Sequence, residues 1–302
     1  MFKKLKARYR LYIQIVFGAF TNSYVQGFTT GRLYTGPLKQ FCVPGLNCYS
    51  CPGALGSCPI GALQSVAGSR DFQFSFYVVG CLLAFGMLLG RWICGFLCPF
   101  GLVQDLLYKI PLPKRFKRKN LPKDRYLKGL KYVMLFGLVL LLPLLVVDIV
   151  GQGSPAFCKW VCPSGTLMAG IPLVVSNPSL QQSLGWLFAL KLFLLVLILL
   201  LCVVAYRPFC KYLCPLGVVY GACNPVSLYR LSVDPNKCVR CGACQTACKM
   251  DVPVYQKPNS PACIRCGDCK RACPYGAIRS GWGFKEKGAD DGCVLHRRRN
   301  MI

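Results

Sequence analysis

The spacing of the 22 cysteines restricts this chain more than any other feature. Eight of them follow a C-x2-C-x2-C-x3-C rhythm that occurs twice near the C-terminus. Six others form three C-x3-C-P pairs at the ends of apolar segments that are long enough to cross a membrane. A chain with this pattern has to bring distant thiols together beside a lipid bilayer. The spacing therefore predicts cysteine-ligated metal clusters in a membrane protein.

The doubled x2-x2-x3 rhythm is typical of two 4Fe–4S clusters in a small ferredoxin domain, in which three close cysteines bind one cluster and the fourth crosses to the other. The first cluster is assigned to Cys238, Cys241, Cys244 and Cys273. The second is assigned to Cys263, Cys266, Cys269 and Cys248. Gly242 and Gly267 are expected to permit the tight ligand loops. A double zinc site is the alternative, and the repeated rhythm favours iron and sulfur over it.

Composition indicates a multispanning α-helical membrane protein, because 54% of the residues are hydrophobic and only 16% are charged. We predict about four transmembrane helices in two pseudo-repeats, joined to a small α+β two-cluster ferredoxin domain. The predicted spans are Tyr9–Phe28, Phe72–Leu89, Tyr132–Val150 and Leu184–Tyr206. Pro143 predicts a kink in the third span.

The basic residues predict the orientation in the membrane. Lys and Arg number 37 against 10 Asp and Glu, and they concentrate between the second and third spans. By the positive-inside rule this loop is cytoplasmic, so both termini also face the cytoplasm of a prokaryotic cell. The N-terminal MFKKLKARYR leads into the first span without a small-residue cleavage site and is expected to be an anchor. Nucleic-acid binding is disfavoured, because the basic residues flank spans and cysteines.

An internal repeat predicts a cluster at the inner membrane face. Each half of the membrane region contains a span, an outer C-P-x-G segment, a second span and an inner C-x3-C-P-x-G segment. A C-x3-C pair places two thiols about one helical turn apart, so two pairs can supply four ligands. The predicted ligands of this inner 4Fe–4S cluster are Cys94, Cys98, Cys210 and Cys214. The flanking Arg91, Arg207 and Lys211 are expected to stabilise its negative charge.

A second membrane cluster is predicted on the outer face, where further cysteines gather. Its candidate ligands are Cys48, Cys51, Cys58, Cys158 and Cys162, with Cys42 as an additional candidate. Lys191 is expected either to stabilise this site or to extend to the interface. Reversible disulfides are the alternative for all C-x3-C pairs. The remaining cysteines are interpreted as small apolar residues (Cys81 and Cys202) or left unassigned (Cys223 and Cys293).

The segments GRWICGFLCPFG and RPFCKYLCPLG, followed by the double ferredoxin motif, resemble the NapH/NosR/FixG-type membrane ferredoxins. The resemblance covers most of residues 74–278 and implies a multi-pass electron-transfer subunit. Members of this family serve quinol oxidation, flavoprotein reduction or copper handling during oxidase assembly, so the resemblance indicates a class of protein rather than a pathway. This chain departs from the simpler family pattern by its additional outer cysteines.

The single histidine, His296, disfavours bis-histidine haem and histidine-rich metal sites. We predict three regions: a membrane domain over 1–225, a cytoplasmic ferredoxin domain over 226–280 and a flexible tail over 281–302. No nucleophile or general base is evident, so an electron-transfer subunit is favoured over a stand-alone enzyme.

The favoured function is electron transfer between cytoplasmic ferredoxin clusters and membrane or outer-face iron–sulfur centres, within a larger redox complex. A soluble cytoplasmic electron donor or acceptor and an outer flavoprotein or other redox subunit are the expected partners. One alternative is a quinone oxidoreductase subunit. The other is a copper-handling or oxidase-assembly reductase, since soft thiolates suit Cu(I).

Overall fold

The computed structural model describes residues 2–68, 76–113, 116–146 and 153–283, and the region before residue 225 is predominantly helical. The helices of its first part are Phe2–Thr21, Gln26–Thr30, Pro37–Gln40, Pro59–Ala67, Phe76–Leu89, Trp92–Phe96, Pro99–Tyr108, Asp124–Val133, Met134–Leu141 and Leu142–Leu145. Those of its second part are Phe157–Val161, Pro163–Gly165, Thr166–Gly170, Ile171–Ser176, Pro178–Gln182, Trp186–Val204, Pro208–Tyr212 and Pro215–Cys223.

Two helical stretches in the described residues are long and apolar enough to cross a membrane. They are Asp124–Leu145, with a mean hydropathy of 1.8, and Trp186–Val204, with 3.2. Shorter apolar helices cover Phe76–Leu89 and Pro163–Ser176. The helical class is thus supported, whereas the count of four spans stays a prediction. Parts of the second and third predicted spans, residues 72–75 and 147–150, lie outside the described residues.

The first helix ends earlier than the predicted span, at Thr21 rather than at residue 28. Side chains at this end compete for the backbone acceptors of the last turn. The Thr21 hydroxyl donates to the Phe17 carbonyl over 2.9 Å, and the Asn22 amide donates to the Gly18 carbonyl over 2.9 Å. Such local bonds offer the backbone an alternative to helix continuation. The short helix Gln26–Thr30 follows after this break.

Over residues 132–145, the third predicted span is one continuous helical stretch whose hydrogen-bonding register changes. Residues Met134–Leu141 are wound as a π-helix, and α-helical winding resumes over Leu142–Leu145. Pro143 lies in the first turn of this resumed segment and contributes no backbone N–H. A widened register is one way in which a helix accommodates such an interruption.

A buried irregular segment, residues 43–47, enters the helical bundle between Pro37–Gln40 and Pro59–Ala67. Leu46 is 2% exposed and Asn47 is fully buried. The space is too tight for a side chain at Gly45, where a Cβ atom would lie 2.7 Å from the Leu97 carbonyl oxygen. This segment, called the entrant segment below, therefore packs directly against the first C-x3-C-P pair.

The cysteine-rich C-terminal region has a small α+β fold. Strands Tyr229–Val233 and Ile278–Trp282 pair antiparallel and close the region at its two ends. Its short helices are Ala243–Ala247 and Asp268–Ala272. The second strand continues two residues beyond the predicted boundary at residue 280. Most of the predicted tail, including Cys293 and His296, lies outside the described residues.

Candidate metal centres

The ferredoxin cysteines surround two separate cavities, and each cavity draws three of its four cysteines from one motif and the fourth from the other. The first cavity is lined by Cys238, Cys241, Cys244 and Cys273. The second is lined by Cys248, Cys263, Cys266 and Cys269. Gly242 and Gly267 begin the intervening helices with φ of 75° and 79°, a conformation that glycine adopts without steric cost. The crossed sets are the same as those that the spacing predicts.

The two ferredoxin cavities differ in their access to solvent. Cys241 of the first cavity is exposed, whereas Cys263 and Cys269 of the second are buried. Burial raises the pKa of the Cys266 and Cys269 thiols to about 12. These thiols would therefore be protonated at neutral pH and would release protons when they bind iron. The first cavity faces the solvent and the second faces the helical domain.

Polar contacts hold the second cavity against the helical domain. Arg265, which is 3% exposed, donates from Nη1 to the Leu89 carbonyl oxygen over 2.9 Å and from Nη2 to the Asn224 carbonyl oxygen over 2.8 Å. The Asn224 side chain returns a 2.8 Å bond to the Cys263 carbonyl oxygen. The loop that carries Cys263 and Cys266 is thus tied to the ends of two helices of the helical domain.

Close packing at Gly95 joins this cavity to the inner C-x3-C-P pairs. A Cβ atom at Gly95 would lie 2.6 Å from the Ile264 carbonyl oxygen. Gly95 falls between Cys94 and Cys98, and Ile264 directly follows Cys263. The backbones of two cysteine motifs therefore touch at this point.

The four inner cysteines converge from both halves of the helical domain. All four are buried, with exposures of 5–6%. Each of them is within electrostatic reach of the others (Cys94, Cys98, Cys210 and Cys214). The structure thus brings together the complete set that the sequence predicts for the inner face.

Two arginines cross between the halves at this inner site. Each is the residue three before the first cysteine of its pair, in an R-x2-C-x3-C-P-x-G pattern. Arg91 donates from Nη2 to the Cys210 carbonyl oxygen over 3.1 Å, and Arg207 donates from Nη1 to the Cys94 carbonyl oxygen. Both guanidinium groups are almost completely buried. Positive charge is therefore placed beside four thiols, where it would offset the negative charge of a bound cluster.

Asp105, which no motif in the sequence marks, balances the charge of Arg207. Arg207 donates from Nε to Oδ1 over 2.8 Å and from Nη2 to Oδ2 over 2.5 Å, and Arg10 also pairs with Oδ2. The available signal was a lone acidic residue in the apolar run GLVQDLL. Lys211, predicted to serve the cluster, instead pairs with Asp124 over 3.3 Å.

The C-P-x-G motif has a local structural reason. In the four copies that lie in the helical region before residue 225, the cysteine precedes a helix that has proline in its first turn. Each cysteine sulfur accepts the backbone N–H of the glycine three residues later. The pairs are Cys58–Gly61, Cys98–Gly101, Cys162–Gly165 and Cys214–Gly217. Helix N-termini favour negative charge, so the motif presents a thiolate in a stabilising position.

The outer cysteines form a fourth site around a cavity of about 320 Å³. Four of the predicted candidates line it: Cys48, Cys58, Cys158 and Cys162. Lys191 lines the same cavity. Among the candidates in the described part of the chain, Cys51 lies beside Cys48 but outside this lining, and Cys42 contacts Cys81 instead. The structure therefore brings together four of the six candidates.

The entrant segment lies between the inner and outer sites. The Leu46 backbone N–H donates to the Cys98 sulfur of the inner site. The Leu46 carbonyl accepts from the Ser164 hydroxyl over 3.4 Å, and both residues line the outer cavity. Leu46 thus contacts the inner site through its backbone N–H and the outer site through its backbone carbonyl.

The four-thiol sets fit 4Fe–4S clusters better than single ions. All cysteines in the described residues are free. Within this part of the chain, no three His, Cys, Asp or Glu side chains are placed to share one metal ion. A 4Fe–4S cluster instead takes one cysteine at each iron, so its ligands surround a larger space. The backbone N–H groups directed at the sulfurs also suit an anionic cluster.

Comparison with known proteins agrees with this interpretation. A family model described as a 4Fe-4S binding domain matches residues 72–120, 133–176 and 186–225. A second model with the same description matches residues 231–254 and 259–279. No solved structure matches the chain.

Three relatives illustrate the range of similarity. The methylamine utilization ferredoxin-type protein MauN of Paracoccus denitrificans is 30% identical over 221 residues, which is 71% of this chain and 69% of that protein. The ferredoxin-type protein NapH of Haemophilus influenzae is 27% identical over 63% of this chain and 59% of its own length. An uncharacterized protein of Methanocaldococcus jannaschii is 31% identical over 57% of this chain. The chain spans 63% of that archaeal protein, less than two thirds of its length.

Fold, cysteine sites and family matches together define an iron–sulfur protein of the ferredoxin type. The chain belongs to the family of NapH- and MauN-type ferredoxin-type proteins, which confirms the resemblance of its C-x3-C-P segments.

Proposed function

We propose that the chain is a membrane-embedded electron conduit that holds four 4Fe–4S clusters in a row between the cytoplasm and the outer face. The supporting observation is an unbroken series of contacts from one cysteine site to the next. The two ferredoxin cavities share crossed motifs, Gly95 touches Ile264, and Leu46 contacts both membrane sites.

The described helices carry the apolar surface that a bilayer requires. Of the most apolar 18 residues in Trp186–Val204, only 17% are buried within the protein. The corresponding share in Asp124–Leu145 is 22%. Phe2–Thr21 and Phe76–Leu89 also expose large apolar side chains, including Phe20 and Phe76. Lipid around all four helices would cover this surface, as the four proposed spans require.

The proposed topology answers the difficulty of an apolar core about 30 Å thick. Ligands on opposite faces of such a core would be far apart if each site stayed at its own surface. The entrant segment shortens the gap, because it carries the backbone of the outer loop to the inner Cys98. Irregular backbone at this depth is tolerated where protein buries it, and Leu46 and Asn47 are buried.

Bound 4Fe–4S clusters would supply one-electron storage and transfer at each site. The chain's own part is to hold each cluster at a fixed separation, to shield the inner site from water and to place arginines there. Exposed Cys241 marks the end that meets a soluble cytoplasmic donor or acceptor. The open outer cavity marks the end that meets an outer flavoprotein or other redox subunit.

Iron and acid-labile sulfide per chain, measured after anaerobic purification, test this proposal. Four clusters require about 16 of each, and two ferredoxin clusters alone require about eight. A content of about eight would contradict the conduit. A second test uses the protein in sealed vesicles. The protein is reduced from the ferredoxin side while an impermeant oxidant is trapped at the outer face. Reduction of the trapped oxidant is expected, and its absence would contradict transfer across the bilayer.

A second candidate, a quinone oxidoreductase subunit, is favoured by one cavity. It has a volume of about 160 Å³ and is lined by Arg10, Tyr206 and Lys249 among others. Arg10 lies within electrostatic reach of Cys266, so the cavity adjoins the second ferredoxin site. Quinone-dependent oxidation of the reduced protein, abolished by Tyr206→Phe together with Arg10→Met, would favour this candidate over a direct outer partner.

A further inference from the structure

Two buried glutamines occupy equivalent positions at the inner and outer membrane sites. Each is the residue six after a cysteine in a C-P-x-G-x2-Q pattern, which occurs as CPIGALQ and CPFGLVQ. Gln64 and Gln104 are both completely buried. A glutamine amide has no evident reason to lie in the apolar interior of a membrane protein unless it binds a partner.

The partner of each amide is a cysteine sulfur of the opposite half. Gln64 Nε2 lies 3.1 Å from Cys158 Sγ at the outer site. Gln104 Nε2 lies 3.1 Å from Cys210 Sγ at the inner site. Cys158 and Cys210 are each the first cysteine of a C-x3-C-P pair. The second cysteine of each pair accepts a glycine N–H instead. Each pair therefore has a glutamine amide at its first sulfur and a backbone N–H at its second.

Neighbouring groups orient the two amides. Gln64 Oε1 accepts the Phe157 backbone N–H over 3.0 Å, which leaves Nε2 as the group that faces sulfur. The Nε2 atoms also donate to the carbonyl four residues earlier in the helix, at Ile60 and at Phe100. Gln104 Oε1 is buried without a hydrogen-bond partner among the described residues. Burial of this unpaired oxygen costs free energy, and the hydrogen bond from Nε2 to the Cys210 sulfur offsets that cost.

We propose that Gln64 and Gln104 are matched positioning residues that set the reduction potentials of the outer and inner clusters, respectively. This inference rests on the proposed presence of clusters at both sites. A neutral N–H donor to a ligand sulfur stabilises the reduced, more negative cluster more than the oxidised one. Each glutamine accordingly holds its own cluster at a higher potential than the thiolates alone would.

The test is a redox titration followed by electron paramagnetic resonance on purified Gln104→Met and Gln64→Met proteins. Methionine keeps the length and volume of the side chain and removes the donor. Gln104→Met is expected to shift one membrane cluster to a more negative potential, and Gln64→Met is expected to shift the other. The ferredoxin signals should stay in place in both variants.

A matched control removes a buried amide that contacts no sulfur. Gln14 is 2% exposed and donates to the Gly95 carbonyl over 2.9 Å and to Asp105 Oδ2 over 3.3 Å, close to the inner site. Gln14→Met should leave the potentials unchanged. An equal shift in Gln14→Met and Gln104→Met would overturn the inference, because general polarity would then explain both.

The iron content separates failure of this inference from failure of the proposed function. With about 16 iron atoms per chain and unshifted potentials in both glutamine variants, the inference is wrong and the conduit stands. With about eight in the unaltered protein, the membrane clusters themselves are absent and both proposals fail. Should Gln104→Met lose iron, Gln104→Asn keeps an amide that is too short to reach sulfur, and the same negative shift is required of it.

Discussion

The inner and outer cysteine sites are built from the same motifs but differ in how they are enclosed. Both use a C-P-x-G-x2-Q segment and a C-x3-C-P pair, and each combines cysteines from the two halves of the chain. The inner site takes its fourth cysteine, Cys94, from a helix, whereas the outer site takes Cys48 from an irregular loop. The inner site is sealed and the outer site opens into a cavity.

Charge compensation differs in the same way. The inner site has two buried arginines, and Asp105 pairs with one of them. The outer site has half-buried Lys191 at the edge of its cavity. An anionic cluster in a sealed apolar site needs protein charges, whereas one beside an open cavity is also stabilised by water. Enclosure, rather than ligand type, therefore decides how much charge the chain must supply.

The largest expected effect is the loss of one membrane cluster by Cys210→Ser. This variant should retain about twelve iron atoms per chain where the unaltered protein has about 16, because only the inner site loses a ligand. Transfer between the two faces should stop. Iron and sulfide analysis, with vesicle transfer as a second readout, measures both effects. Cys223→Ser, at a buried cysteine outside all four sites, is the control and should retain every cluster.

Arg207→Met is expected to have the next largest effect, because it leaves the buried Asp105 without its main partner. Breaking a buried ion pair costs roughly 3–5 kcal/mol. The free energy of unfolding in detergent should fall by that amount. The outer counterpart, Lys191→Met, is expected to cost less than about 1 kcal/mol, because a partly solvated charge contributes little. Equal losses in the two variants would contradict the difference in enclosure.

Gly95→Leu tests the contact between the inner site and the second ferredoxin cavity. The new side chain would meet the Ile264 carbonyl oxygen, so the ferredoxin domain should separate from the helices. Faster proteolytic release of that domain is expected, with electron transfer to the membrane sites slowed. Gly80→Leu is the matched control, since a Cβ atom there meets nothing within 4 Å. Unchanged electron transfer in Gly95→Leu would contradict the proposed order of sites.

The smallest expected effect is that of Cys51→Ser at the outer site. Cys51 lies beside Cys48 but outside the cavity lining, so its replacement should leave the iron content unchanged. Cys48→Ser should remove about four iron atoms per chain. Iron analysis of the two variants, measured side by side, tests both expectations. Loss of iron in Cys51→Ser alone would show that the outer site recruits a different loop cysteine.

Family and cofactor class could be predicted from the sequence because their signals are local. The x2-x2-x3 rhythm lies within one ligand loop, and the family matches confirm the resemblance drawn from the C-x3-C-P segments. The span boundaries were less predictable. Hydropathy does not register the side-chain bonds of Thr21 and Asn22 that end the first helix.

The sequence by itself determined the motifs that act within one helical turn. Where a helix follows the cysteine, with proline in its first turn and glycine three residues after the cysteine, the local backbone directs an N–H at the sulfur. Tertiary structure alone decided which loop cysteine joins the outer site, and that Gln64 reaches Cys158 across 94 residues of chain. It also decided that Leu46 contacts both the inner and the outer site. These pairings depend on the packing of an irregular segment between two helical halves, and no periodic pattern in the sequence encodes that packing.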